Sequence, residues 1–443
     1  MSELIYAGFG RADTTPEEYG PMSGFGTDAR RICNNVIDRV MGTCVALSDA
    51  QNNTFLLCTV DLLNAKAETV VKAAREAITV ATGVPGERIM VAATHTHSGP
   101  ATYSAEVAFT NRYLNYFGKQ MAKAAVDAMA DRKEAKIYIG QKIVKNMTFV
   151  RHYLMNDGTY GGSCFGSFKS GAKAHLDVAD EQMQLIRFVR EGARDIVLMN
   201  WQSHATFIGH PDEGNMSADY IGVLRNHVEG LTGCHFAFFQ GACGNLVPTS
   251  RIEEENLIEK NHIAYGRLLA QKVIEGLEEL RPVKGGCIKT KQLQYKAEVD
   301  HGDDPRVPDA QYVCDRFYQL EDPKERMALR KQYGFNSIYH ATQVINRSRL
   351  PAYIEMELDA LCIGDISFST VPYEMFCSNG KYIKDNTPFA MTFVMGYCNG
   401  SNSYLADKAA FRYDCYEVNT RRFYEGVAED VAQTHVKMLE SLR

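Results

Sequence analysis

The chain has 443 residues, 45% of them hydrophobic and 23% charged, which is typical of a globular protein with a large core. The net charge of −6 comes from interspersed signs without a basic stripe, so we expect no nucleic-acid partner. No apolar run approaches the roughly 18 residues that a membrane span needs, so we expect no membrane span either.

The first residues of the chain predict a cytoplasmic protein, because residues 1–6 lack the basic and long apolar regions of a signal peptide. None of the twelve cysteines forms a C-x-x-C pair, and we expect buried reduced thiols such as Cys58 and Cys362. No linker or charge run divides the sequence. We therefore expect one catalytic domain over residues 1–443, acting on a small molecule and compatible with an oligomer.

The first third of the chain predicts strands followed by helices. Two β-rich runs at residues 39–47 and 54–60 flank a polar turn, as in a hairpin. Apolar side chains recur at helical spacing over residues 67–82, before the glycines and proline of residues 83–86. A short apolar strand at residues 88–93 leads into T-H-T-H, and an amphipathic helix covers residues 111–131.

The middle of the chain repeats this order. We predict a strand at 195–201, a helix at 217–229 capped by Ser217, a strand at 235–239 and a long helix at 254–280.

The last third begins with a polar, helix-prone segment, residues 300–349, which we interpret as an insertion or cap. Strands are predicted at 354–361, 365–371 and 392–395, and an amphipathic helix containing Val427 and Met438 closes the chain. The alternation predicts an α/β fold with mixed β-sheet layers flanked by helices.

Histidines follow two of the predicted strands, at the positions where an α/β protein builds a site. His95 and His97 are two residues apart, so on an extended chain both imidazoles would point to the same side. His204 also follows an apolar run, and neutral imidazole is a good zinc ligand. For each single histidine the alternative is a hydrogen-bonded core residue, and spacing does not decide because no H-E-x-x-H helix is present.

Two further segments could contribute to such a site. Glu374 follows a strand in apolar company, where a carboxylate must be paired, protonated or metal-bound; the alternative is an exposed loop glutamate. Residues 241–245, G-A-C-G-N, could present backbone N–H groups to a developing anion, or could be an ordinary glycine-rich turn.

Motifs in these segments resemble those of the neutral/alkaline ceramidase family, in the same order along almost the whole chain. The most specific is A-T-H-T-H-S-G-P at residues 93–100. The others are A-G-F-G-R-A-D-T-T-P at 7–16, N-W-Q-S-H-A-T at 200–206, S-A-D at 217–219, and G-Y-C-N-G at 396–400 with S-Y-L at 403–405. The resemblance implies the fold of that family's catalytic domain.

The resemblance also implies a set of site residues. A zinc ion would be held by His95, His204, Glu374 and Tyr404, and Tyr404 rests on the resemblance alone. His97 would then either support the ligands from behind or lie on the side of the oxyanion. Arg151, in N-M-T-F-V-R, resembles a family arginine that lines the pocket and would orient a polar or anionic group of the substrate.

The sequence departs from the family in its G-D-x-S-P segment, which here reads G-N-L-V-P at residues 244–248. Val247 replaces the serine, and a valine can neither attack nor donate a hydrogen bond. We therefore expect metal-activated water to be the nucleophile. Backbone N–H groups near Gly244 would help to hold the oxyanion, and Gly244 and Asn245 would line the substrate site.

These residues predict a zinc-dependent hydrolase that cleaves an amide (N-acyl) bond. The chain as given lacks the family's immunoglobulin-like domain, a signal peptide and an apolar hairpin for entering a bilayer, so we expect a soluble metabolite rather than membrane ceramide as the substrate. Two alternatives stay open. One is an ester or lactone hydrolase of the same fold, and the other is a degenerate member that binds a ligand without turning it over, which Val247 would favour.

Overall fold

The computed structural model describes residues 4–25, 31–104, 106–162, 170–209, 214–300, 304–400, 403–413 and 415–443. The described strands form two main sheets. The larger sheet contains β1 (Ile5–Asp13), β2 (Met41–Asp49), β3 (Thr54–Val60), β4 (Ile89–Ala93), β5 (Lys133–Ile143), β6 (Gln182–Arg190), β7 (Ile196–Trp201), β8 (His235–Gln240) and β9 (Arg281–Val283). The smaller sheet contains β10 (Ile288–Glu298), β11 (Tyr353–Ile363), β12 (Ile366–Val371) and β13 (Met391–Gly396).

The larger sheet is mixed, with the spatial order β8-β7-β6-β5-β1-β2-β3-β4 and with β9 paired to β5. Its neighbouring strands are antiparallel except for the two outermost pairs, β3–β4 and β7–β8, which are parallel. The smaller sheet has the order β10-β11-β12-β13, and its parallel pair is β12–β13. A parallel pair requires a crossover connection, and each of the three pairs has a helix in that connection.

The helices complete the layers. They are α1 (Lys72–Thr82), α2 (Val107–Ala130), α3 (Asp219–Thr232), α4 (His262–Leu277), α5 (Val307–Phe317), α6 (Pro323–Gln332), α7 (Ile338–Ser348), α8 (Cys377–Asn386), α9 (Tyr416–Asn419) and α10 (Val427–Glu440). A π-helical turn, Ala67–Val71, precedes α1. The crossover helices are α1, α3 and α8.

Short strand pairs join the connecting segments. They are Asn35–Val36 with Asn215–Met216, Phe149–Val150 with Leu246–Val247, and Glu374–Met375 with Tyr404–Leu405. A separate three-stranded sheet contains Tyr153–Met155, Tyr160–Gly161 and Ala172–His175.

The two main sheets pack face to face between helices. Side chains such as Leu57, Phe188, Phe368 and Phe393 fill the layer between the sheets, and fully burying one such side chain contributes about 1.5–3 kcal/mol. Helices α1 and α2 cover one half of the outer face of the larger sheet, and α3 and α4 cover the other half. Helices α8 and α10 cover the smaller sheet. The predicted fold class, mixed sheet layers flanked by helices, is confirmed.

Most predicted elements are present with bounds shifted by a few residues, and two predictions are wrong. The long helix predicted at 254–280 is a 3-10 turn, Glu253–Glu255, followed by α4, which begins only after Asn261 because the Asn261 side chain accepts the Ala264 N–H. Ser217 is not the N-cap of α3, since the helix begins at Asp219 with Ala218 as its cap. The Ser217 hydroxyl accepts the Asp219 N–H instead.

Residues 304–349 contain the helices α5, α6 and α7, as predicted, while residues 301–303 lie outside the described part. The segment connects β10 to β11, which are antiparallel neighbours, and its apolar side chains form a cluster of their own. It is therefore an insertion in a β-hairpin. Across the described residues, no helix combines the length and the apolar character needed to cross a membrane.

The larger sheet curls until its outermost strands meet. The hydroxyl of Thr59 in β3 donates to the carbonyl of Phe238 in β8 at 2.7 Å, and the side-chain amide of Gln240 at the end of β8 donates to the Thr94 carbonyl at 3.2 Å. The smaller sheet reaches the same place, because Cys398 after β13 forms a bridge with Ala92 in β4. The carboxyl ends of all three parallel pairs consequently lie together.

Candidate metal and catalytic site

His95 and His97 follow β4, but not on an extended strand. The strand ends at Ala93, and His95 has a φ of +64°, in the left-handed region. The prediction that His95 and His97 lie on an extended strand is therefore wrong. The two imidazoles nevertheless lie on the same side. The reversed backbone brings the two rings edge to face, with their Nε2 atoms 3.1 Å apart.

Backbone carbonyls determine which nitrogen of two imidazoles carries the proton. The Nδ1 of His95 lies 2.7 Å from the carbonyl of Leu63, and the Nδ1 of His204 lies 2.8 Å from the carbonyl of Leu246. A carbonyl can only accept, so both Nδ1 atoms are protonated and both Nε2 lone pairs are left for another partner. The Nε2 of His204 is buried without a hydrogen-bond partner. Burial lowers the pKa of both rings to about 3, so they are neutral.

The Glu374 carboxylate faces the Nε2 atoms of both imidazoles. Its Oε2 lies 3.5 Å from the Nε2 of His95 and 3.4 Å from the Nε2 of His204. Glu374 pairs in register with Tyr404 in the short parallel ladder, and the Tyr404 hydroxyl hydrogen-bonds the carboxylate. Burial raises the pKa of Glu374. The four residues that the resemblance implied as ligands thus converge, although they lie far apart in the sequence.

His97 lies at the edge of the same cluster. The ligand nitrogens of His95, His97 and His204 all lie within 4.8 Å of one another, so geometry alone places His97 close enough to join the ligand set. Its Nδ1 is buried without a hydrogen-bond partner. Because the His95 Nε2 is an acceptor, the His97 Nε2 must be the donor in the contact between them.

The guanidinium of Arg151 is hydrogen-bonded to other residues of the protein. Its Nε donates to Glu417 at 2.5 Å, and its Nη2 lies 2.8 Å from the Gly244 carbonyl and 3.3 Å from the Tyr404 hydroxyl. The other oxygen of Glu417 lies 2.8 Å from the Nε2 of His152. Burial alone would raise the pKa of Glu417, but Arg151 and His152 hold it well below its usual range. The guanidinium is therefore charge-compensated and supports the Tyr404 oxygen, and its role in orienting a substrate stays a prediction.

The buried groups His152, Cys415 and Glu417 also lie within 4.8 Å of one another. Glu417 already serves Arg151 and His152, so this cluster is a satisfied hydrogen-bond network and not a second metal site.

Gly244 itself cannot fill the oxyanion role that was predicted for backbone N–H groups near it. Its N–H donates to the Met375 carbonyl at 2.9 Å and is not available to a substrate. A Cβ at this position would lie 2.4 Å from the Glu374 carbonyl oxygen, so the glycine is needed for close packing against the strand that carries Glu374. Asn245 also has an internal partner, because its Oδ1 accepts the Cys377 N–H at 2.9 Å. The Gly244 N–H and the Asn245 Oδ1 are therefore both occupied within the protein.

The sequence reasoning missed Glu417 and Tyr397. Tyr397 stacks on His95 and donates to Glu374, and its signal was its place in G-Y-C-N-G. Glu417 had no local signal, because a single glutamate in a polar segment looks like a surface residue.

The cluster has the donor set of a divalent cation site. Two neutral imidazoles with Nε2 lone pairs, one carboxylate and one phenol suit a borderline cation such as zinc. The unpartnered Nε2 of buried His204 fits this interpretation, since a buried nitrogen without a partner is costly. The carbonyls of Leu63 and Leu246 are the outer partners that commonly orient metal-binding histidines.

The chain is similar in structure to neutral ceramidase from Pseudomonas aeruginosa, with a TM-score of 0.72 and 16% sequence identity over 100% of this chain and 75% of that chain. A second similar structure, of ceramidase complexed with C2, gives a TM-score of 0.71 and 16% identity over 99% of this chain and 75% of that chain. This likeness shows the ceramidase fold and confirms the prediction of that fold. The sequence matches no protein-family model and no curated protein.

Proposed function

We propose that this chain is a metal-dependent hydrolase that cleaves the amide bond of a small N-acyl compound. The observation that carries the proposal is the shared direction of two acceptor nitrogens. The Nε2 atoms of His95 and His204 both face the Glu374 carboxylate, while backbone carbonyls hold the protons on the opposite side of each ring. The ceramidase fold supports amide chemistry, because the similar structures are of proteins named ceramidases.

His95, His204, Glu374 and Tyr404 would hold the cation, and zinc is the ion that their chemistry favours. A bound zinc ion supplies two effects, since it lowers the pKa of water toward about 7 and polarises a carbonyl group. Arg151 donates to the Tyr404 oxygen and thereby keeps that oxygen directed at Glu374. Val247, which stands in the place of the family serine, cannot act as a nucleophile, and this supports water in that role.

His97 is the residue that we assign to the substrate oxygen. In the structure its Nε2–H has the lone pair of His95 as its acceptor. That lone pair is the one that a cation would occupy, and the His97 donor would then be available to a carbonyl oxygen beside the cluster. A positioned donor of this kind commonly contributes 100- to 1,000-fold to the turnover rate, or roughly 3–4 kcal/mol.

The first test is elemental analysis of the purified protein together with His204→Ala. We expect about one zinc ion per chain in the wild type and a lower zinc content in the variant, because His204 would supply one of the two imidazole ligands. A matched control is His262→Ala, which removes a half-buried imidazole at the start of α4. Metal-free active protein, or full activity in His204→Ala, would contradict the proposal.

The substrate is tested on a panel of N-acyl amino acids, N-acyl amino sugars, lactones and detergent-solubilised ceramide. We propose a soluble N-acyl substrate, and Val247 in the serine place supports a substrate other than ceramide. Turnover of lactones alone would assign the chain to ester chemistry, and a zinc-loaded protein inactive on every compound would favour the degenerate binding alternative.

A further inference from the structure

Tyr397 occupies an unusual backbone position directly after β13. It is fully buried and has a φ of +53°, a conformation that bulky side chains rarely adopt. Neighbouring strands hold it there, because the Ala93 N–H donates to the Tyr397 carbonyl at 3.1 Å and the next residue donates to the Val371 carbonyl at 3.2 Å. A backbone strained in this way persists where its surroundings over-determine it, and such positions cluster at functional sites.

The Tyr397 side chain contacts two of the candidate ligands at once. Its ring stacks on His95, with centroids 3.9 Å apart and planes inclined by 22°. Its hydroxyl donates to the Oε2 of Glu374 at 3.2 Å, and this is the same oxygen that faces the two imidazoles.

A third contact orients the hydroxyl. The thiol of Cys243 lies 3.2 Å from the Tyr397 oxygen. Because the phenol O–H donates its hydrogen bond to the carboxylate, the thiol must be the donor in its contact with the phenol oxygen. The order Cys243, Tyr397, Glu374 is therefore a chain of hydrogen bonds that ends on a candidate ligand oxygen, and all three side chains are buried or nearly so.

We propose that Tyr397 is a positioning residue that holds His95 and Glu374 in the geometry that a divalent cation requires, with Cys243 directing its hydroxyl. The inference rests on the proposed function. The stacked ring restricts rotation of the His95 imidazole, and the donated hydrogen bond fixes the rotation of the Glu374 carboxylate about its last torsion. Ligands that are already oriented bind without the ordering cost that free side chains would have.

The test is the zinc affinity of Tyr397→Phe, measured by competition with a chromophoric chelator. The variant keeps the ring and loses the hydroxyl, so we expect affinity about 10- to 100-fold weaker than that of the wild type, the range typical of outer partners of metal ligands. Cobalt-substituted protein gives a second readout, because a displaced carboxylate changes the visible absorption of the ion. Zinc affinity within twofold of the wild type, with an unchanged cobalt spectrum, would overturn the proposal.

Two further variants separate positioning from general packing. Tyr113→Phe removes another buried phenol on α2, whose ring packs between Phe109 and Phe117, and should leave zinc affinity unchanged. Cys243→Ala should weaken affinity in the wild type but have no effect in the Tyr397→Phe background, since it acts only through the hydroxyl. Additive losses in the double variant would contradict the proposed hydrogen-bond chain.

The same measurements distinguish a failure of this inference from a failure of the proposed function. A wild type that binds no zinc refutes the proposed function itself. A wild type that binds zinc tightly, with a Phe variant that binds it equally well, refutes only the role of Tyr397. The metal-free forms are compared by thermal unfolding, and equal transition temperatures show that lost affinity does not come from lost folding.

Discussion

At the scale of single residues, the candidate site depends on backbone carbonyls that accept hydrogen bonds from its histidines. The carbonyls of Leu63 and Leu246 determine the tautomers of His95 and His204, and any residue with a carbonyl at these positions would do the same. The residue that supplies the accepting carbonyl therefore carries no sequence signal. The geometry of the backbone after β3 and after β8 is what makes these two histidines suitable ligands.

Gly244 provides a prediction at this scale. Gly244→Ala places a methyl group 2.4 Å from the Glu374 carbonyl oxygen, so the strand that carries Glu374 must shift. We expect lower zinc content and a loss of stability of about 1–3 kcal/mol, the usual cost of overpacking, measured by thermal unfolding.

The control for this change is Gly230→Ala in α3, where an added methyl group meets nothing within 4 Å. That substitution should stabilise the protein by roughly 0.5–1 kcal/mol, because alanine favours the helix. Equal effects of the two substitutions would show that the contact with Glu374 does not constrain the site.

At the scale of elements, the three parallel strand pairs determine where the site forms. Strands β3–β4, β7–β8 and β12–β13 each need a crossover helix, and the chain leaves each pair at its carboxyl end. His95, His204 and Glu374 all lie just beyond such ends. The antiparallel strands of the larger sheet position these pairs and contribute no candidate ligand of their own.

Helix α10 provides a prediction of pH dependence. It packs His435 against the smaller sheet with no exposed surface, and burial lowers the pKa of this ring from 6.5 to about 4. Between these two values the unfolded chain binds a proton that the folded chain does not. The contribution of His435 to the free energy of unfolding is therefore complete above pH 6.5. It is lost as the pH falls toward 4, by about 1.4 kcal/mol for each pH unit.

The variant His435→Leu removes this proton-binding difference and also removes two ring nitrogens that have no hydrogen-bond partner. We expect its free energy of unfolding to fall less steeply than that of the wild type between pH 6.5 and pH 4. Denaturant unfolding at several pH values measures both slopes, and the other histidines cancel because they are present in both proteins. Parallel curves would show that His435 does not titrate with folding.

At the scale of the whole molecule, a buried ion pair joins the two halves of the structure. Lys384 on α8, which covers the smaller sheet, lies 2.9 Å from Asp180 and 3.0 Å from the Gln202 amide oxygen. Asp180 precedes β6 and Gln202 follows β7, so both lie next to strands of the larger sheet. The side chains of the pair are only 2% and 5% exposed.

Removing one partner should be far more costly than removing both. Lys384→Met leaves the Asp180 carboxylate buried without its counter-charge, and we expect a loss of about 3–5 kcal/mol. Adding Asp180→Asn should restore most of this loss, because the amide keeps the oxygen that accepts the Gln182 N–H. Thermal and denaturant unfolding measure both variants.

An exposed ion pair on the same helix serves as the control. Lys381 and Asp385 lie one turn apart with side chains about half exposed, and Lys381→Met should change stability by less than about 1 kcal/mol. A Lys384→Met variant no less stable than Lys381→Met would contradict the structural role of the buried pair.

Several strands of the two main sheets were not predicted from the sequence, for an identifiable reason. Strand β1 contains two glycines that face α2, and β5 and β10 are rich in charged side chains, so their patterns do not resemble a buried strand. The helices α1, α2 and α10 have clear periods and were predicted. The hairpin of β2 and β3 is buried on both faces and was predicted from two β-rich runs that flank a polar turn. Periodicity identifies an element only where one face meets a core and the other meets water.

The sequence alone determined the helices with clear periods, the hairpin of β2 and β3, and the position of histidines after two apolar strands, because residue preferences and hydrophobic periods act over neighbouring positions. Tertiary structure decided the rest. Only the curling of the larger sheet and the pairing of Glu374 with Tyr404 bring the candidate ligands together. Only packing shows that the Gly244 N–H is occupied and that Tyr397 reaches Glu374. These are contacts between segments far apart in the chain, so no local sequence pattern predicts them.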